Sequence, residues 1–357
     1  MKGIKKRWIV WVSLAIIIRL ISFFPEVVEK YYSTGLYPVI SFGLRFLFGW
    51  IPFSAGDLLY AAAVIYLLVK IFRFFKTVIR KKADKLYWKT CFYRLAGTIL
   101  IIYVVFNLFW GLNYNRMGMA TQMHLQMKPY TTEELQQVLA IVVKRLDSTN
   151  VKALQTRNLY LQKQALFKEA YHSYQLAKPQ YTHLSYSIKS VKPSLFSYLG
   201  DYMGYSGYYN PFTGEAQVNT KVPPFIIPFT ACHEIGHQLG FASESEASFV
   251  GYLVTRSGNS PVFKYSAYFD LFAFANGELY MRDSLAARQN IKLLDTLVRK
   301  DYAEYRRYLK SYQNPIEPLL TRIYGKYLEA HNQPKGIESY DEVVAWIIAY
   351  YKKYGKL

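Results

Sequence analysis

The sequence predicts N-terminal transmembrane helices followed by a mainly α, α+β domain with a small sheet. Three observations support this fold class. Hydrophobic residues make up 52% of the 357-residue chain and aromatic residues 18%, and this excess is concentrated in long runs within the first third. Beyond residue 115 the pattern changes to amphipathic helical segments, interrupted by one stretch of short alternating segments with Gly, Pro and Asn. We therefore divide the chain into residues 1–115 and residues 116–357.

Three apolar runs in the first region are near the length that crosses a bilayer. They cover about residues 8–24, 57–75 and 95–112, and we predict a transmembrane helix for each. A cleaved signal peptide is the alternative for the first run, but no small-residue cleavage site follows it and two more runs come after. Residues 42–53 are apolar but short, so we predict an interfacial or re-entrant segment there.

The basic residues predict an orientation for these helices. They precede the first run and fill the segment between the second and third, whereas residues 25–56 contain few. The positive-inside rule then places the N-terminus in the cytoplasm and the C-terminal domain outside, which in a bacterium is the periplasmic face of the inner membrane. More than half of the net charge of +20 lies in residues 1–115. We therefore expect a lipid bilayer as partner and no nucleic acid.

Periodicity predicts the remaining elements in order. Residues 181–219 are predicted to form a small sheet, in which residues 215–219 are the edge strand that would pair with an extended peptide. Helices are predicted at about residues 132–146, 152–176, 224–239, 243–256, 262–281, 293–312, 316–331 and 340–354. The first of these follows a Thr-Thr-Glu-Glu start typical of a capping box.

The third of these helices, predicted to start between about residues 224 and 229, carries His233-Glu234-Ile235-Gly236-His237. Two histidines four residues apart lie on one helix face and can bind one Zn²⁺, and the intervening glutamate is placed to act as general base for an attacking water. We therefore predict His233 and His237 as zinc ligands and Glu234 as the catalytic residue. Gly240 is predicted to end this helix in a left-handed turn.

A catalytic zinc site usually has three protein ligands, so a third must come from elsewhere. Ser243 is predicted to cap a second helix whose first turn carries Glu244 and Glu246. Glu244 shares a face with small residues that would let this helix lie close to the zinc helix. Glu244 is our predicted third ligand, and Glu246 is the alternative.

The residues after the motif also resemble known families. His233 to Ser243 is similar to the metzincin signature, except that serine stands where that family has its third histidine. Glu244 to Ser248 resembles the E-x-x-A-D element of gluzincin-type membrane-associated peptidases, with serine replacing the final aspartate. That resemblance implies a zincin-like domain with Glu244 as ligand.

Over nearly its full length, the chain resembles an uncharacterised family of bacterial inner-membrane proteins with three N-terminal spans and an H-E-x-x-H domain. The matching residues are Trp110 to Tyr114 and Gly240 to Ala247. This resemblance supports the zinc site and the topology, and it implies no substrate.

These observations predict a membrane-anchored zinc metallopeptidase that hydrolyses peptide bonds of a peptide or protein substrate. Two alternatives stay open: a cell-wall peptide amidase, and a non-catalytic zinc-binding sensor or assembly protein.

An acyl-transfer site also needs a donor to the developing oxyanion. The candidates nearest in sequence are Tyr208, Tyr209, Tyr265 and Tyr268. Cys91 and Cys232 lie in different regions and are not expected to form a disulfide.

Overall fold

The computed structural model describes residues 2–160, 162–330 and 342–357, and this part of the chain is mainly helical. The N-terminal region consists of helices joined by short turns. They are α1 (Lys2–Ile21), α2 (Pro25–Val27), a π-helical segment (Val28–Leu36), α3 (Tyr37–Phe48), α4 (Ala55–Ile79) and α5 (Lys85–Phe109). A short 3₁₀ helix, Gly111–Asn115, leads out of this region.

Two of these helices, α4 and α5, are long and apolar enough to cross a membrane. A third crossing is counted if the bent pair Trp8–Ile21 and Pro25–Phe48, which turns by 104°, is taken as one broken span. The predicted interfacial segment at 42–53 begins within the second arm of this pair. The described residues thus hold two or three helices of membrane-spanning character, which indicates a membrane protein.

The first turn of α4 is docked on the sheet of the following domain. Ser54 caps the helix by accepting a hydrogen bond from the Asp57 N–H at 2.9 Å. Glu215, which is fully buried, accepts from the Gly56 N–H at 2.6 Å. A carboxylate at a helix N-terminus satisfies free N–H groups and complements the helix dipole. Two residues 159 positions apart are thereby joined where the apolar helix begins.

The second region contains α6 to α16 and one sheet. The helices are α6 (Met119–Gln122), α7 (Thr132–Thr156), α8 (Lys163–Ala177), α9 (Ser197–Met203), α10 (Ile227–Gln238), α11 (Glu244–Ser257), α12 (Pro261–Arg282), α13 (Ser284–Leu293), α14 (Thr296–Ser311), α15 (Glu317–Ala330) and α16 (Glu342–Tyr354). The strands are β1 (Val191–Pro193), β2 (Gly207–Asn210) and β3 (Glu215–Val218). The predicted capping box is present, with Thr131 and Glu134 bonding each other's backbone N–H.

The structure breaks one predicted helix and shifts the start of another. The run 152–176 is divided because α7 continues to Thr156 and α8 starts at Lys163. The helix predicted at 293–312 is present but starts three residues later, at Thr296, because Asp295 caps α14 by accepting a hydrogen bond from the Leu297 N–H at 2.8 Å. An Asp that bonds a backbone N–H two residues on starts a new helix instead of continuing the old one. The end of the predicted helix 316–331 and the start of 340–354 lie outside the described residues.

The strand order corrects one prediction. The sheet order is β1-β3-β2, with β3 parallel to β1 and antiparallel to β2. The segment 215–219, predicted as the edge strand, is therefore central and fully buried. The edge strand beside the motif is β2. The prediction was wrong because β1 pairs with the edge of β3 that β2 leaves open. The alternation of residues within 215–219 does not encode that pairing.

Candidate metal and active site

The H-E-x-x-H motif lies on α10, which starts at Ile227 within the predicted interval and is buried throughout. Gly240 has φ +86°, which confirms the predicted left-handed turn after the helix. This turn sends the chain back so that α11 packs directly against α10. The packing is close because small residues meet there. A Cβ on Gly251 would lie 3.2 Å from the His233 backbone nitrogen, and Gly236 faces Ala247.

Glu244, in the first turn of α11, faces both histidines. Its Oε2 lies 3.2 Å from Nε2 of His233 and 3.5 Å from Nε2 of His237. The ligand atoms of His233, Glu234 and His237 lie within 4.8 Å of one another, and all three side chains are buried. The two Nε2 atoms and Oε2 of Glu244 therefore converge on one point. Two imidazole nitrogens and a carboxylate oxygen are a donor set that zinc takes in catalytic sites.

The other ring nitrogen of each histidine is bound on the far side. Nδ1 of His237 lies 2.8 Å from the carbonyl oxygen of Phe241, so it carries a proton and donates it. Nδ1 of His233 lies 3.2 Å from Oγ of Ser248. For His237 this directs Nε2 at the shared point, as in metal sites whose histidines are oriented by a second hydrogen bond.

Glu246 lies elsewhere. Its Oε1 accepts a hydrogen bond from the Met119 N–H at 2.6 Å, and it lies beside Gly118. Burial raises the pKa of Glu246, although Arg116 opposes that rise. Of the two glutamates considered as third ligand, Glu244 lies at the histidines. Glu246 instead binds the segment that follows residues 1–115, which we call the membrane region.

The four ionisable groups at the centre strongly affect one another. Burial raises the pKa of Glu234 to about 8, against the opposing charge of His237. Burial lowers the pKa of His233. Burial also disfavours protonated His237, but the Glu244 carboxylate outweighs it and raises the pKa of that ring to about 9. Burial would raise the pKa of Glu244, but the two neighbouring histidines outweigh burial and hold that pKa well below its usual value. These four buried groups together therefore favour a positive charge between them.

Glu234 is packed against the edge strand. A Cβ on Gly207 of β2 would lie 2.6 Å from Oε1 of Glu234 and 2.9 Å from the Gln217 carbonyl oxygen. Only glycine fits there without displacing the carboxylate. Oε2 of Glu234 is buried and has no hydrogen-bond partner in the described part of the chain. Gly207 was not singled out from the sequence, because its negative φ gives no turn signal and its constraint is purely spatial.

A cavity of about 990 Å³ opens onto these residues. The motif lines it together with the edge strand, helix α9 and residues of the membrane region, including Tyr60 of α4 and Phe106 of α5. Tyr60 lies five residues into α4 and stacks on Tyr208, with ring centroids 6.0 Å apart. The cavity therefore lies where the two candidate membrane helices meet the second region.

The predicted oxyanion donors separate into two pairs. Tyr208 and Tyr209 line the cavity, whereas Tyr265 donates to Asp301 at 2.8 Å and Tyr268 packs beside Tyr252. The Tyr208 hydroxyl bonds Asp57. The Tyr209 hydroxyl lies 3.3 Å from that of Tyr37, whose own proton goes to the Gln238 carbonyl at 2.8 Å. Both cavity tyrosines therefore use their hydroxyl protons within the protein.

The C-terminal end of α10 is bound by the membrane region, which was not foreseen from the sequence. Trp110 donates its Nε1–H to the His237 carbonyl at 3.0 Å. Ser41 donates to the Gln238 carbonyl at 2.9 Å, the same oxygen that Tyr37 binds. These are carbonyls that a helix end otherwise leaves without intrahelical partners. The backbone of the second histidine is thus fixed by side chains from residues 37–110.

The described chain therefore defines a protein with two or three helices of membrane-spanning character and a buried His-Glu-His group beside a large cavity. It belongs to the family described as "Protein of unknown function (DUF3810)", whose model matches residues 32–348. The match includes the α10 motif, Glu244 and most of the membrane region. No curated protein and no solved structure matches the chain.

Proposed function

We propose that this protein is a membrane-anchored, zinc-dependent peptidase whose site lies at the membrane surface. The observation that carries the proposal is the convergence of His233 Nε2, His237 Nε2 and Glu244 Oε2 beside the buried carboxylate of Glu234. These three side chains would hold the zinc. When bound, zinc would supply Lewis-acid polarisation of the scissile carbonyl and of an attacking water.

Glu234 then acts as general base and later as general acid. Its Oε2 has no hydrogen-bond partner among the described residues, so it can accept the proton of the attacking water and deliver it to the leaving nitrogen. A carboxyl whose pKa lies near neutrality is suited to both steps. Gly207 keeps the carboxylate against the edge strand, and His237 is oriented through the Phe241 carbonyl.

The edge strand supplies a place for an extended substrate. The Ser206 carbonyl accepts from the Asn219 N–H at 2.8 Å, so in the antiparallel register Ser206 and Tyr208 face β3 while Gly207 and Tyr209 turn their backbone groups away from it. Gly207 packs against Glu234, so a peptide backbone that pairs with these outward N–H and C=O groups would run next to the motif. This favours a peptide over other acyl substrates.

The proposed place of action follows from the apolar surroundings of the cavity. Leu199 and Met203 of α9 line it, and both side chains are exposed. Helix α9 follows Leu195, whose N–H bonds Asp57 in the first turn of α4 at 2.6 Å. An exposed apolar helix at the end of a membrane-spanning helix fits the interfacial layer of a bilayer. We propose that the substrate is cleaved there, on the periplasmic face of the bacterial inner membrane.

Metal content of the full-length protein in detergent tests the zinc site. We expect one zinc per chain in the wild type, loss of most zinc in Glu244→Gln, and retention in Glu246→Gln, a matched variant in the same turn. Zinc in neither wild type nor variants, with the fold intact, would overturn the site.

Glu234→Gln should keep its zinc and lose peptide hydrolysis by about 10²- to 10⁴-fold. Unchanged hydrolysis would remove Glu234 from the mechanism.

The contact between Gly207 and Glu234 gives a second test. In Gly207→Ala the new methyl would displace Glu234, so we expect hydrolysis to fall at least about tenfold while zinc content stays the same. Gly277→Ala is the control, because nothing lies within 4 Å of a Cβ there. That variant should keep full activity and gain up to about 1 kcal/mol of stability from higher helix propensity. Equal activity in both variants would contradict the proposed packing.

A further inference from the structure

The cavity has an unusual charge composition for this chain. Lys and Arg outnumber Asp and Glu by 44 to 24 in the sequence. Yet the residues that line the cavity include Glu234, Glu244 and Asp270 and, within the described chain, neither Lys nor Arg. In the proposed zinc site the first two carboxylates face the metal. Asp270 is the remaining acid, and it has no role in that site.

Asp270 lies on α12, at the end of the cavity next to the start of α10. Four residues earlier on the same face of α12, Ser266 accepts a hydrogen bond from the Phe229 N–H at 3.0 Å. The ring of Phe229 is 6.2 Å from that of His233. Asp270 therefore lies toward the start of α10, on the side of the cavity that holds Phe229, whereas Trp110, 6.0 Å from the His237 ring, marks the opposite end.

The Asp270 carboxylate has no hydrogen bond or ion pair in the structure as described. Its surroundings are aromatic, since Phe229 and Phe274 line the same cavity and Phe274 is one helical turn away on α12. Asp270 is half-buried, and the partial loss of water around its carboxyl raises its pKa well above the usual value. A carboxylate in such a place costs free energy until a cation compensates it.

We propose that Asp270 is a specificity residue that binds a protonated amine or guanidinium on an aliphatic stem, such as a lysine or arginine side chain next to the scissile bond. The aliphatic stem would pack on Phe229 and Phe274, and aromatic faces also favour a nearby cation. This inference rests on the proposed function and names its substrate class: peptides with a basic residue. The cavity offers a carboxylate for such a residue and, among its described lining residues, no lysine or arginine for a free C-terminal carboxylate.

The test uses full-length, zinc-loaded protein and two series of short peptide hydroxamates. Each position in turn carries lysine or norleucine, which differ in the ammonium group but have similar stems. At one position we expect wild type to bind the lysine compound roughly ten- to a hundredfold more tightly by calorimetry. Asp270→Asn should abolish this preference. Glu304→Gln, which removes an exposed charge on α14, is the matched control and should preserve it.

Equal binding of lysine and norleucine compounds by wild type overturns the inference, as does a preference that survives in Asp270→Asn. Failure of the lysine series to bind zinc-loaded protein overturns it as well. The outcomes separate the two proposals. Peptide hydrolysis without an Asp270-dependent preference leaves the peptidase and removes the specificity residue. An Asp270-dependent preference without hydrolysis of any peptide leaves the binding site and removes the catalytic proposal.

Discussion

The two ends of helix α10 are fixed by different parts of the chain. At its start, Ser266 of α12 bonds the Phe229 N–H and the Ile226 carbonyl, at 3.0 and 3.3 Å. At its end, the carbonyls of His237 and Gln238 accept hydrogen bonds from Trp110 and Ser41 of the membrane region. The first end is held by the domain that follows the motif, and the second by the region that precedes it. The site is therefore a joint product of both regions.

The packing around each end differs in the same way. The start of α10 belongs to the large core that includes Phe225 and Phe269, whose rings are 4.8 Å apart. The end borders a second, smaller core built mostly from residues 18–112, to which Tyr209 and Ala242 contribute from the second region. Separation of the regions would leave the first core intact and expose the second. Stability at the two ends should thus respond to different changes.

The largest expected effect comes from removing residues 1–115. The remaining chain loses Trp110, Tyr37 and Ser41 from the end of α10 and exposes the apolar partners of Tyr209, so we expect it to lose zinc binding and to aggregate. Zinc content and thermal unfolding of the fragment measure this. As a control, a cleavable linker between Lys82 and Ala83 should, after cleavage, leave zinc content unchanged because it keeps all contacts of the site. A stable, zinc-loaded fragment 116–357 would show that the membrane region is only an anchor.

This dependence on distant residues marks the limit of what the sequence predicts. The spacing of His233, Glu234 and His237 defines a helix face by itself, and the turn at Gly240 is equally local. The placement of Trp110 and Tyr37 depends on contacts across more than a hundred residues. The order of the strands depends on the pairing of β1 with β3. Asp270 also gives no signal in the sequence, because one acid within a helix is usually solvent-exposed.

The next largest effect is expected at the start of α10. Ser266→Ala removes the acceptor of the Phe229 N–H and leaves that buried donor without a partner, which costs about 1–3 kcal/mol. Thermal unfolding of the full-length protein should show a lower midpoint. Because the change lies in the large core, the loss should be the same in detergent and in lipid bilayers. A loss that depends on the membrane environment would contradict the assignment of this end to the second region alone.

The smallest effect is expected for the same substitution at the other end. Ser41→Ala removes one of two donors to the Gln238 carbonyl, and Tyr37 still binds that oxygen at 2.8 Å. No buried group is left unsatisfied, so the cost should stay below about 1 kcal/mol. The double variant with Tyr37→Phe removes both donors and should cost more than the sum of the single changes. An additive double variant would show that the two hydroxyls do not share the carbonyl, and that the end of α10 is held by Trp110 alone.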